Sequence, residues 1–101
     1  GNYEQAIANF GDYETFNKAL AQVLNDDTES ALRTLENSAD AESAMGYYLK
    51  AIIGARTNNV ELLINNLKSA IGKDASLKAK AKGDREFIKF MANSDFAAIV
   101  R

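Results

Sequence analysis

The chain contains no cysteine, histidine, tryptophan or proline. Each absence removes a class of chemistry. Without cysteine there is no disulfide framework and no thiol nucleophile, and without cysteine or histidine there is no ordinary zinc or iron–sulfur site. Lacking histidine, the chain carries no Ser–His–Asp or Cys–His arrangement, and the commonest general acid–base group is missing. The 6 glycines are scattered singly, so no glycine-rich loop is present to cradle a phosphate. Charge of one sign is also scarce. Twelve basic and 14 acidic side chains leave a formal net charge of −2, which sets up no strong field towards nucleic acid or membrane. Apolar stretches such as Ala51-Ile52-Ile53 and Val60 to Ile64 are short or interrupted, and none approaches the roughly 18 residues of a membrane span. The opening Gly1-Asn2-Tyr3-Glu4 has neither a basic n-region nor an apolar h-region, so no signal peptide is read there. The chain reads as starting in mid-motif, as a domain cut from a longer protein. The lack of cysteine fits a cytoplasmic or a periplasmic, cell-envelope location equally well.

What is present is helix-forming. The 101 residues include 17 alanines, and 47% are hydrophobic, enough for a single modest core. No stretch alternates apolar and polar residues for the length of a strand. Helical spacing recurs instead. Tyr3, Ala6, Ile7 and Phe10 share one face, as do Phe16, Ala19, Leu20, Val23 and Leu24. Ala31, Leu32 and Leu35 follow, then Tyr47, Tyr48, Ala51, Ile52 and Ala55, then Leu63, Ile64, Leu67, Ala70 and Ile71. The pattern predicts an all-α chain with helices over Asn2–Phe10, Tyr13–Leu24, Thr28–Asn37, Ala41–Thr57, Val60–Ile71, Ser76–Lys82, Arg85–Ala92 and Asp95–Val100. Asp26 to Thr28, Asp40, Asn58 or Asn59, Asp74, Asp84 and Ser94 are the candidate N-caps, and Gly11, Gly72 and Gly83 suit helix ends that need positive φ. Connections this short make successive helices pack antiparallel, as αα-hairpins.

A phrase repeats beneath this pattern. Residues 1–10, 26–35 and 58–67 each offer a turn residue, a polar cap and Glu, then a small or apolar residue, an aliphatic and a larger apolar residue at fixed offsets. Gly1-Asn2-Tyr3-Glu4-Gln5-Ala6-Ile7 with Phe10 resembles the start of the second helix of a tetratricopeptide repeat. The stretch from Tyr47-Tyr48-Leu49-Lys50-Ala51 through Asn58-Asn59 to Leu67, Ala70 and Asp74-Ala75-Ser76 resembles a whole repeat. The tail, Asp84-Arg85-Glu86-Phe87 and then Ser94-Asp95-Phe96-Ala97-Ala98-Ile99, resembles the capping helices that follow a last repeat. There are departures. The phrases begin 25 and then 32 residues apart, against the family period of about 34. Gly54 stands for an expected aromatic, and Leu63 for an expected small residue.

The resemblance implies helix-turn-helix pairs stacked as a short solenoid with C-terminal capping helices, the C-terminal end of a degenerate array. It divides a single domain, 1–101, into shortened repeats over 1–38, the best-matched repeat over 40–77 and capping helices over 78–101. It implies a non-enzymatic scaffold that binds a protein or peptide partner on its first-helix face. There Tyr48, Ile52, Ala55 and Arg56 would line the groove, with Tyr48 and Arg56 the stronger contributors. On the alternative reading Tyr48 is core beside Tyr47, and Arg56 is a solvated helix end. Two other functions stay open: a purely structural cap or spacer, and contact with an anionic ligand or nucleic acid through residues 73–89. That stretch holds Lys73, Lys78, Lys80, Lys82, Arg85 and Lys89, whereas residues 1–42 hold 2 basic and 9 acidic side chains. The lysines are spread around a short helix with no interleaved aromatic, so nucleic acid is not the expected partner. The carboxylates Asp26, Asp27 and Glu29, and Asp40 with Glu42, sit where helix N-termini favour negative charge, and none has calcium-loop spacing. No catalytic, cofactor-binding or metal-binding residue is assigned. The open N-terminal edge around Tyr3 to Phe10 is expected to pack against further helices.

Overall fold

The chain is seen in a computed structural model that describes residues 13–38 and 41–101. The helix expected over Asn2–Phe10, Gly11 and the N-cap Asp40 lie outside the described residues. Those described form α1 Tyr13–Leu24, α2 Thr28–Glu36, α3 Ala44–Arg56, α4 Val60–Lys73, α5 Leu77–Gly83, a 3₁₀ helix Arg85–Phe90, and α6 Ser94–Val100. Among the described residues the fold is all-helical, with no strand.

Local chemistry sets most of these boundaries. The side chains of Asp27 and Asn59 accept hydrogen bonds from the N–H groups of Ser30 (3.3 Å) and Leu62 (3.1 Å), capping α2 and α4 as the sequence predicts. Asp84 caps the 3₁₀ helix through the Glu86 N–H, 3.0 Å away. Helix α3 begins later than the predicted Ala41, because the Ser43 hydroxyl accepts from the Gly46 N–H at 3.0 Å and fixes the first turn there. Asn93, not Ser94, caps α6, accepting from both Asp95 and Phe96 N–H groups. The predicted α-helix over Arg85–Ala92 is a tighter 3₁₀ helix that ends at Phe90.

The turns are repeated bond for bond. At the end of α1, the Asp27 N–H reaches the Gln22 carbonyl (2.8 Å) and the Asp26 N–H reaches that of Val23 (3.0 Å). At the end of α3, the Asn59 N–H reaches Gly54 (2.8 Å) and the Asn58 N–H reaches Ala55 (3.3 Å). This pair of bonds is the Schellman helix end, and it needs a left-handed residue just past the helix. Asp26 (φ 62°) and Asn58 (φ 59°) supply it, and these are the opening residues of the second and third repeated phrases. The glycines expected to take that role do not: Gly72 and Gly83 lie inside α4 and α5, with φ values open to any residue.

Packing follows chain order, α1 on α2, α2 on α3 and α3 on α4; the C-terminal elements then fold back, the 3₁₀ helix onto α3 and α6 onto α4 and α5. Helix α3 is enclosed on nearly every side, with Met45, Tyr48, Leu49, Ala51, Ile52, Ile53 and Ala55 each at most 4% exposed. It comes close to α4 at Gly54, where an added Cβ would lie 2.5 Å from the backbone N of Leu63.

Candidate functional site

The four residues expected to line a groove have a different setting. Tyr48 is 0% exposed, and Ile52 and Ala55 are 1% exposed. Buried on α3, they present no surface to a partner in this arrangement. The Tyr48 ring meets Phe87 edge-on, with centroids 5.6 Å apart at 76°, and Phe87 lies 5.6 Å from Phe96 in turn. The Tyr48 hydroxyl donates to Asp84 Oδ2 at 2.6 Å. One carboxylate thus caps the 3₁₀ helix and anchors the central tyrosine.

Arg56, the fourth residue, is exposed at the end of α3, with its side chain tied to two other elements. Its guanidinium makes a two-pronged pair with Glu86, Nε to Oε1 at 2.9 Å and Nη2 to Oε2 at 2.7 Å. It also donates through Nη1 to the Val23 carbonyl (3.0 Å) and the Asp26 carboxylate (3.4 Å). That joins the ends of α1, α3 and the 3₁₀ segment, and places a cation at the negative end of the α1 dipole.

The basic stretch is partly used up internally. Lys80 reaches over the Tyr48 ring, 5.8 Å from its centroid, and Lys89 over Phe90 at 5.7 Å. Burial pushes the Lys80 ammonium below its ordinary value, and the nearby Asp84 charge opposes that shift. Among the described residues every buried side-chain nitrogen or oxygen has a partner. No group of three or more potential metal ligands is found among them. No described helix is long and apolar enough to cross a membrane.

One surface that the core leaves open lies between α4, α5 and α6. A groove of about 570 Å³ opens there, with Ile64 and Ile71 on α4 and Ala98 and Ile99 on α6 giving it an apolar floor. Lys68, Lys78 and Asp95 stand at its rim. The isoleucines are half-buried, while Lys68, Gly72, Asp95 and Ala98 are exposed. Sequence reasoning assigned Ile64 and Ile71 to the inward face of α4 and overlooked the site. One signal was present. On α4 the fully buried residues are Leu63, Leu67 and Ala70, and the isoleucines beside them widen the apolar stripe beyond what α3 covers. Comparison of the chain with known protein families, with curated proteins and with solved structures finds no match.

Proposed function

We propose that this chain is a non-enzymatic helical interaction module, built in the manner of tetratricopeptide repeats, that docks a segment of a protein partner. The α4–α6 groove carries the reading. It combines an apolar floor with a charged rim, the usual composition of a recognition surface, while among the described residues every buried side-chain polar atom has a partner. The repeat reading draws support from the two Schellman turns, which recur 32 residues apart with the same bonds and the same cap. The docking face moves from the first-helix side to the second-helix side, since Tyr48, Ile52 and Ala55 are consumed by the core.

An unbiased peptide selection against the whole chain tests the proposal. Selected peptides are expected to lose affinity on Ile99→Glu, with the thermal midpoint checked in parallel. Peptides that bind the variant as tightly as the parent would show that the groove is not the docking face. The structural cap is the second reading, and the Arg56 junction favours it: a residue suited to an interface hot spot is committed to bracing three elements. On that reading no peptide is selected at all. The anionic-ligand reading has less behind it, because Lys80 and Lys89 lie against aromatic rings of the chain itself.

A further inference from the structure

We propose that the α4–α6 groove takes an amphipathic helix with acidic residues flanking its apolar stripe; the inference rests on the docking reading above and names the chemistry of the occupant. Among the described residues there is no strand, so no sheet edge is offered to an extended peptide for main-chain pairing. Affinity then has to come from side chains packed into the groove, which is the helix-in-groove mode. The α4 wall suits it. Ile64, Lys68 and Ile71 stand at spacings of four and three, a span of about 10 Å, or two helical turns. A docked helix presents its i, i+3 or i+4, and i+7 anchors over that same length. Gly72 adds a bare step beside Ile71: a Cβ built there would meet nothing within 4 Å, which leaves room for a partner side chain.

Charge selects among helices. The rim carries Lys68 and Lys78 against a single Asp95. Among the described residues neither lysine has a carboxylate within ion-pair distance, whereas Arg56 is paired with both Asp26 and Glu86. Their aliphatic stems extend the apolar floor, and the ammonium groups are left to meet the flanks of an occupant. Acidic flanks are attracted by both lysines and repelled by one aspartate; basic flanks meet the reverse. Such complementarity acts on partner choice and on encounter rate, and salt weakens it.

The test uses the full chain and two synthetic helix-forming peptides of about 15 residues, long enough to hold some helix in water. Both have one Leu/Ala face; one is flanked by Glu and the other by Lys. Fluorescence anisotropy at low ionic strength is expected to show the Glu peptide binding about tenfold tighter, with the gap closing as salt is added. The double variant Lys68→Glu with Lys78→Glu should reverse the order. Gly72→Leu, which fills the floor where the free protein has space, should weaken both peptides while leaving the thermal midpoint in place. Equal binding of the two peptides, or preference for the Lys peptide, overturns the acidic assignment and leaves the docking reading standing. Failure of both peptides to bind, or binding indifferent to Gly72→Leu, overturns the docking reading and this inference with it. Concentration-dependent dimerisation abolished by Gly72→Leu would assign the groove to a second copy of the chain and overturn the proposal.

Discussion

Tyr48 has two ends with different needs, and its surroundings meet both. The ring fills the space against Phe87, and the hydroxyl satisfies Asp84. Tyr48→Phe keeps the packing and removes the donor. Since it leaves a part-buried carboxylate short of one bond, a loss of about 1–3 kcal/mol is expected in urea denaturation. A sharper contrast lies between two neighbours in the chain. Phe87 is 0% exposed and Ile88 is 69% exposed. Phe87→Ala should cost about 3–5 kcal/mol, whereas Ile88→Ser should stay within about 0.5 kcal/mol. Lys80 gives a pH test. Its folded-state pKa lies below its ordinary 10.5, so the folded chain releases this proton first as pH rises. Between the lowered value and 10.5 the unfolded state holds more protons, and stability therefore rises with pH in that window. Relative to Lys80→Met, the parent should gain in urea midpoint on going from neutral pH towards 10.5; a constant difference would count against the buried ammonium. The sequence marked Tyr48 and Arg56 as special residues. It left Tyr48 open between groove and core and did not reveal Arg56 as a brace, because a ring and a guanidinium suit contacts within the fold as well as an interface.

At the scale of the element, the repeated turn is the feature that the sequence stated most plainly. Asp26-Asp27 and Asn58-Asn59 read as turn-then-cap, and each pair is a left-handed residue followed by an N-cap. Asn58→Gly should leave stability unchanged or raise it slightly, since glycine takes positive φ freely. Asn58→Ala puts a Cβ into that region and is expected to cost about 1 kcal/mol. Thermal melts of the two variants check the ordering, which an ordinary loop position would not give. Gly54 shows the limit of reading one element at a time. As an isolated mid-helix glycine it looks like a weakness that alanine would repair. Against the backbone of α4 it is a requirement, because the added methyl would meet Leu63 N and Cα at 2.5 and 2.9 Å. Gly54→Ala should therefore destabilise by about 1–3 kcal/mol despite its better helix propensity. The 3₁₀ form of Arg85–Phe90 was likewise beyond the sequence. Its residues suit an α-helix, and the start is fixed by Asp84, whose other oxygen is held by Tyr48 from a different helix.

For the molecule as a whole, α3 is the hub, and the chain's last segments complete its enclosure. Phe87, Phe90, Phe96 and Val100 all enter the one core cluster. Burial of such side chains contributes about 1.5–3 kcal/mol apiece, and the total stability of a domain is only about 5–15 kcal/mol. A chain ending at Gly83 should accordingly lose its fixed packing, seen as lost near-UV dichroism and as dye binding by exposed apolar surface. A cooperative melt in that truncated chain would show that the fold-back is an addition to the core and not a part of it. The sequence by itself determined the all-helical class, the order of the described elements and the caps Asp27, Asn59 and Asp84, while Ser43, Ser76 and Asn93 cap where it named other residues; what it determined follows from hydrogen bonds and periodicities spanning only a few residues. Tertiary structure alone settled Tyr48 as core over groove, placed Ile52 and Ala55 with it, made Arg56 a brace of three elements and left a groove between α4, α5 and α6. A stripe of apolar residues states that a face must be covered. Which part of it stays open depends on where the distant elements come to rest.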